Sequence, residues 1–154
     1  MSKFIILEDI RSAYNVGAIF RTADASGVAK VFLVGYTPAP IDRFGRPQAE
    51  IKKTSLGASE TVPWEKVEVM SDLIARLKTD GVTVVAVELA KGSVSLKDFR
   101  EPEHIAYIVG SEVDGVSNEV LESADVIVEL PMLGQKESLN VSVTAGIVLY
   151  HGIT

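Results

Sequence analysis

The chain has 154 residues, with 15 Lys and Arg against 21 Asp and Glu for a net charge of −6, 47% apolar residues and no cysteine. One packed domain fits that profile, which excludes disorder, collagen-like repeats, disulfide scaffolds and thiolate metal centres. The two histidines, His104 and His151, lie far apart in sequence, and no run approaches the roughly 18 apolar residues of a membrane span, so a metal-free, soluble, cytoplasmic protein is expected.

Lys3 to Leu7 is a short apolar run closed by Glu8-Asp9, which predicts a buried strand. After a loop carrying Arg11, Val16, Ile19, Phe20 and Ala23 fall on one helical stripe, with Asn15 placed to cap its start and Gly27 its end. Lys30 to Gly35 predicts a second strand. Pro38, Pro40, Gly45 and Pro47 then mark a long loop that carries Arg43 and Arg46. Ser71 is expected to cap a helix that runs through Lys78 and stops at Asp80-Gly81, and Val82 to Val87 is a β-branched run of strand length. Ile105 to Val109 repeats that pattern before Gly110. Ser117 to Ser123 reads as a helix, Val126 to Val128 as a strand, and residues 129–138, with Pro131, Gly134 and Lys136, as a loop.

Strands alternating with helices at this spacing indicate an α/β domain with a mainly parallel sheet. One segment stays open on periodicity alone. Leu139 to Ala145 alternates apolar and polar like a half-buried strand, yet Leu139, Val143, Gly146, Ile147 and Tyr150 also share a helical face.

Charge is unevenly spread. Residues 1–53 hold 8 basic and 5 acidic side chains, whereas 54–154 hold 7 and 16, so the first third is where a phosphate backbone would sit. Three segments place polar groups at strand ends or in adjoining loops, where open α/β sheets bind ligands. In the first, Asn15 to Ala23, Arg21 lies about 150° from the centre of the apolar stripe at 100° per residue. It points away from the core, free for a ligand or for an ordinary pair with Asp24. The second, Gly110-Ser-Glu112-Val-Asp-Gly115, follows a strand and matches neither dinucleotide nor Walker phosphate loops; its carboxylate suits a cationic or hydroxyl-bearing ligand. The third, Leu130 to Ser142, offers backbone and hydroxyl groups without a charged acid or base, and nothing in the chain has the arrangement of a hydrolase.

Taken in order, N-x-G-x-x-x-R-T-A from Asn15, G-S-E-x-x-G-x-S from Gly110 and L-P-M-x-G-x-x-x-S-L-N-V-S-V from Leu130 closely resemble the SpoU family of RNA ribose 2′-O-methyltransferases, within the SPOUT superfamily, over roughly residues 4 to 150. The resemblance implies an α/β fold with a mainly parallel sheet flanked by helices and a C-terminal deep trefoil knot, in which residues 139 to about 152 are helical. It implies S-adenosylmethionine bound against Glu88, Leu89, Gly110, Glu112, Leu130, Met132, Ser138 and Leu139. It implies Arg21 as the residue nearest the chemistry, with Asn15, Glu112, Ser138 and Asn140 shaping the site. The family works as homodimers, which makes the face of Val143, Ile147 and Tyr150 a candidate contact.

The substrate so implied is transfer or ribosomal RNA, with Arg11, Arg21, Arg43, Arg46, Lys52 and Lys53 as RNA-facing candidates from charge clustering and position. Many relatives carry an added RNA-binding domain or basic terminal helices. A single methyltransferase domain over 1–154 is expected here, with RNA recruitment resting on a dimer, a folded RNA shape or a helper protein. Thr144 stands where relatives more often have a small apolar residue, with little consequence expected. Two competing readings remain: a non-catalytic RNA-binding or assembly factor that keeps the fold, and a nucleotide-binding α/β protein that shares the fold alone.

Overall fold

In the computed structural model, which describes residues 1–153, the N-terminal apolar run is β1 (Ser2–Glu8). Helix α1 (Ala13–Ala25) begins earlier than its apolar stripe suggests. Ser12 is the cap, its Oγ accepting from the Asn15 N–H at 3.1 Å, and Asn15 is the third helical residue, buried and free of capping duty. The helix ends at Ser26, followed by Gly27 at φ +75°. Val28 N–H donates to the Ala23 carbonyl and Gly27 N–H to that of Asp24, the paired closure that favours glycine at this position.

Strand β2 (Lys30–Val34) leads into the long loop, and residues 48–67, unassigned from sequence, form α2 (Ala49–Ser55), α3 (Ala58–Thr61) and β3 (Trp64–Val67). Helix α4 (Met70–Thr79) starts one residue before Ser71, which is not its cap; the cap position is Val69, without a side-chain hydrogen bond. Burial of Met70 with Leu73, Ile74 and Leu77 fixes that first turn, so packing replaces the missing cap. Then come β4 (Thr83–Val87), the two-residue β5 (Val94–Ser95), a 3-10 turn (Leu96–Asp98), β6 (His104–Val109), α5 (Asn118–Ser123, capped by Ser117), β7 (Val126–Glu129) and α6 (Val141–Leu149).

All neighbouring strands pair in parallel, in the order β3-β2-β1-β6-β4-β7-β5. Because side chains alternate across a strand, Ile5, Leu7, Leu33, Ile105, Tyr107 and Val109 meet apolar residues of α1, α2 and α6 on one face. Ile6, Phe32, Val84, Ala86, Ala106 and Ile108 meet α4 and α5 on the other. Burial on both faces explains why the central strands read as unbroken apolar runs. Helices α1 and α2 touch at Gly17, where a Cβ would stand 1.8 Å from Thr54 Oγ1.

The segment that alternates like a strand is helical, and shorter than 139–152. Val141, Ala145, Val148 and Leu149 are buried beside α1 and β6, while Val143 and Ile147 stay exposed. Tertiary packing overrides the local pattern. The end of α6 is tied down by a buried cluster. Lys3 Nζ donates to the Leu149 carbonyl at 2.8 Å and pairs with Glu101 Oε1 at 2.8 Å, while Tyr107 OH donates to Glu101 Oε2 at 2.5 Å.

Burial first, and the Glu101 carboxylate second, push the Tyr107 phenol above its ordinary value of 10.0. Below about pH 10 both folded and unfolded chains keep that proton; above it the unfolded chain releases it first, so stability falls as pH rises. We expect Tyr107→Phe to remove a loss of up to about 1.4 kcal/mol per pH unit. Urea unfolding across the alkaline range, wild type against variant, measures it as a difference in slope; equal slopes would refute the assignment.

Candidate active site

With every strand parallel, the C-terminal ends of β1, β2, β4, β6 and β7 lie along one edge, the side on which open α/β sheets take ligands. The segments after β4, β6 and β7, with the start of α6, enclose a cavity of about 380 Å³. Glu88 and Leu89 come from the end of β4, Gly110 and Glu112 from the turn after β6, and Leu130, Met132, Ser138 and Leu139 from the loop before α6. The structure thus brings together all eight residues that the resemblance placed at a cofactor.

The wall also includes Ser111, Asp114 and Gly115, neighbours within the Gly-Ser-Glu motif, together with Glu137 and Thr144, so the departure at Thr144 falls on the cavity itself. The ionisable lining groups, Glu88, Glu112, Asp114 and Glu137, are all acidic; no Lys, Arg or His is among them. A cation is therefore the favoured guest on electrostatic grounds.

The turn after β6 is built from its own backbone. Gly115 N–H donates to the Ser111 carbonyl at 2.8 Å, and Ser111 Oγ accepts from the N–H groups of Val113 and Asp114, both at 3.1 Å. Gly115 has φ +67°, and Glu88 Oε2 accepts from the following Val116 N–H at 3.2 Å. On the β1 side, the buried Glu8 carboxylate accepts from Ser117 N–H and Oγ, both at 2.8 Å, fixing the exit of the turn.

Three of the five proposed catalytic residues meet. Asn15 Nδ2 donates to Glu112 Oε1 at 2.6 Å, and Asn140 Nδ2 donates to Asn15 Oδ1 at 3.4 Å. Asn140 also caps α6, its Oδ1 accepting from Ser142 N–H at 2.8 Å and Ser142 Oγ at 2.6 Å. The buried amide of Asn15 thereby links the Gly-Ser-Glu turn to the start of α6. Nothing local in the sequence could announce this, since its partners lie 97 and 125 residues away.

Ser138 stands on the cavity wall. Arg21 does not join the cluster. It is exposed, six residues beyond Asn15 and so about 9 Å farther along α1, and makes none of the hydrogen bonds or ion pairs among the described residues, the pair with Asp24 included.

All six basic residues singled out from the sequence are exposed. Arg11 lies over the Tyr36 ring at 5.3 Å, beside a second cavity of about 230 Å³ that shares Ser111, Asp114 and Gly115 with the first. Arg46 Nε donates to Asp42 Oδ2 at 2.9 Å; the Arg46 backbone N–H above all, then that of Phe44 and the guanidinium, hold the Asp42 carboxyl below its usual value. Lys52 and Lys53 are on the outer side of α2. Among the described residues no cluster of three or more His, Asp and Glu is placed to hold a metal, and no helix is long and apolar enough to cross a membrane.

A parallel three-layer α/β domain with an acid-walled cavity at its C-terminal edge, bounded by glycine-rich and polar loops, is a small-ligand-binding domain. Residues 2–150 match the model of the SpoU rRNA methylase family, and the chain belongs to that family. It is 37% identical over 145 residues to a protein of Neisseria meningitidis named 23S rRNA (guanosine-2′-O-)-methyltransferase RlmB, covering 94% of this chain and 55% of that one. It is 34% identical to the protein of the same name from Bordetella pertussis, over 97% and 58% of the two chains. The chain thus spans little more than half the length of these curated relatives.

Among solved structures, an AdoMet-bound rRNA methyltransferase from Sinorhizobium meliloti superposes with a TM-score of 0.88 at 29% identity, over 98% of this chain and 55% of that one. A TrmH/SpoU tRNA modifying enzyme from A. aeolicus superposes with a TM-score of 0.85 at 30% identity, over 98% and 73%. The parallel sheet flanked by helices expected from the resemblance is the fold observed.

Proposed function

We propose that this chain transfers the methyl group of S-adenosylmethionine to a ribose 2′-hydroxyl of ribosomal or transfer RNA. The observation that carries the reading is the acid-walled cavity that brings together the eight expected cofactor residues, six from the second and third motifs and Glu88 and Leu89 from the end of β4. Family membership and the names of the relatives agree with it.

The cavity fits this cofactor by size and by charge. S-adenosylmethionine carries a sulfonium and an ammonium against one carboxylate, a net positive charge that the acidic wall accommodates. Its volume lies within the usual range for small-ligand sites, and Leu89, Leu130, Met132 and Leu139 supply apolar surface for an adenine. When bound, the cofactor supplies an electrophilic methyl group. Gly110 lets the backbone come close, Glu112 places a negative charge at the cavity, and Asn15 holds that carboxylate by its hydrogen bond. Ser138 and Asn140 shape the side nearest α6.

Arg21 faces solvent, away from its own cluster, and this supports a site completed by a second copy of the chain. In a homodimer through the exposed Val143 and Ile147 face of α6 and the neighbouring surface of α1, the partner's Arg21 would stabilise the developing alkoxide and hold the adjacent phosphate through its forked donors. Insertion of β7 between β4 and β5, strands joined by residues 88–93, supports threading of the last segment as a trefoil knot. The basic residues near β1 and β2 form the RNA-facing side, with a helper protein as a further means of recruitment.

Purified protein incubated with methyl-labelled S-adenosylmethionine and total RNA from cells lacking its gene is expected to yield labelled 2′-O-methylnucleotides after digestion. Binding of the cofactor alone is expected to raise the melting temperature with ligand concentration. Cofactor and RNA binding without label in RNA would favour an assembly factor instead.

A further inference from the structure

Two aromatic rings stand out of the basic edge without packing against the core. Tyr36 is 72% and Phe44 67% exposed, yet both sit on backbone held tightly in place. Asp9 Oδ1 accepts from Tyr36 N–H at 2.8 Å. Lys66 Nζ donates to the carbonyls on either side of Tyr36, Gly35 at 2.6 Å and Thr37 at 2.5 Å, and the buried Thr37 hydroxyl ties the ends of β1 and β2 together. Around Phe44, Asp42 Oδ1 accepts from the N–H groups of Phe44 at 2.8 Å and Arg46 at 3.0 Å, and Ile41 bridges to Pro47. These rings are presented on fixed turns, so a ligand would bind them without first paying the entropy of ordering a loop.

Each ring carries its own cation. Arg11 lies 5.3 Å from the Tyr36 centroid, and Arg43 and Arg46 lie 4.9 and 5.0 Å from that of Phe44. Exposed rings flanked by guanidiniums match one ligand chemistry well, a flat base with a phosphate attached: the base stacks on the ring, and the guanidinium meets the phosphate. A duplex cannot use such a site, because its bases already stack on one another. Position agrees with chemistry. The cavity beside Tyr36 and Arg11 is separated from the cofactor cavity only by the 111–115 turn, whose Ser111, Asp114 and Gly115 line both.

We propose that Tyr36, beside the cofactor cavity, and Phe44, on the loop that follows β2, are base-stacking residues that hold unpaired nucleotides of the substrate RNA. The proposal rests on the RNA substrate argued above and adds two residues and a strand state to it. It is tested by fluorescence anisotropy with a labelled oligouridylate and with a fully paired RNA hairpin of equal length whose loop is replaced by a non-nucleotide linker. Tyr36→Ala and Phe44→Ala are each expected to weaken single-strand binding roughly tenfold, the effect of losing one base–aromatic stack, with little change for the hairpin. Phe44→Trp should retain affinity and Phe44→Leu should not, since the π-face is required and mere apolarity is insufficient.

The salt slope should be unchanged in Phe44→Ala and shallower in Arg43→Ala, because only the latter removes a phosphate contact. Melting and cofactor-binding curves like those of the wild type would show that the exposed-ring variants fold. Equal losses for single strand and hairpin, or unchanged affinity in both alanine variants, would overturn the proposal. So would loss of self-association in Phe44→Ala by sedimentation with RNA binding intact, which would assign the ring to a protein contact. Methyl transfer to cellular RNA by wild type and ring variants alike, with equal KM, would remove the stacking role and leave the methyltransferase reading standing. Stacking-dependent binding without any methyl transfer would do the reverse.

Discussion

Arg21→Ala is expected to lower methyl transfer by about 10²–10³-fold, the usual cost of removing one preorganised group that stabilises developing charge, while cofactor binding stays close to that of wild type. The separation follows from position: Arg21 lies on the exposed side of α1 and lines neither cavity. Its stability cost should be small, since the side chain makes no ion pair or hydrogen bond among the described residues. A stronger version of the experiment mixes two dead variants. If Arg21 acts across a dimer, co-refolding Arg21→Ala chains with Asn140→Ala chains gives mixed dimers in which one of the two sites holds an intact pair. Random pairing then restores roughly a quarter of wild-type activity. If Arg21 serves the cluster on its own chain, each chain in the mixture keeps its own defect and activity stays at the level of the single variants. Cofactor titration by calorimetry and single-turnover label transfer read the two quantities separately, and unchanged turnover in Arg21→Ala would remove it from the site.

The parts of the fold that could be read from the sequence are those whose burial is periodic or complete. β1, β2, β4 and β6 are apolar on both faces, so their runs stood out; the stripe of α1 did so because one face packs inward. The stretch 48–67 was silent for physical reasons. Helix α2 buries only Ile51 and Ser55, and β3 is a four-residue edge strand without a fully buried residue, so neither leaves a pattern. The start of α1 was misplaced because Asn15 has the side chain of a cap, whereas Ser12 does the capping and Asn15 reaches Glu112 instead. Ser71 misled in the same way. The motif segments were legible as loops that could bind something. That the second and third of them converge on one cavity with the end of β4, while Asn15 of the first reaches its wall through Glu112, depends on strand order, which brings β6, β4 and β7 side by side although the first of these comes between the other two in the chain. The resemblance supplied that convergence in advance, and Tyr36 and Phe44, absent from the motifs, were missed. Their signal in the sequence was an aromatic residue within a loop already marked by arginines.

The largest structural effect is expected from a single methyl group. At Gly110 a Cβ would stand 2.3 Å from the carbonyl carbon and oxygen of Gly115 and 2.4 Å from the nitrogen of Val116. All three are backbone atoms, so no rotamer change relieves the clash; the turn itself must move. Gly110 does not have positive φ, so replacing it carries no conformational penalty of its own and would gain about 0.4–1 kcal/mol through the unfolded chain. Overpacking against fixed atoms costs about 1–3 kcal/mol, so the net change is destabilising. The functional loss should exceed the stability loss, because the displaced turn carries Ser111, Glu112, Asp114 and Gly115 of the cavity wall and the Glu112 anchor of Asn15. Gly110→Ala is therefore expected to stay folded with a lowered melting temperature and to weaken cofactor binding at least tenfold, or about 1.4 kcal/mol. Gly134→Ala, in the loop before α6, is the matched control: nothing lies within 4 Å of its Cβ position and its φ is not positive, so stability and cofactor affinity should both stay near wild type. Isothermal titration and thermal melts of the pair decide the matter. Equal affinities in the two variants would mean that the turn after β6 does not hold the cofactor, and the assignment of the cavity would fall with it.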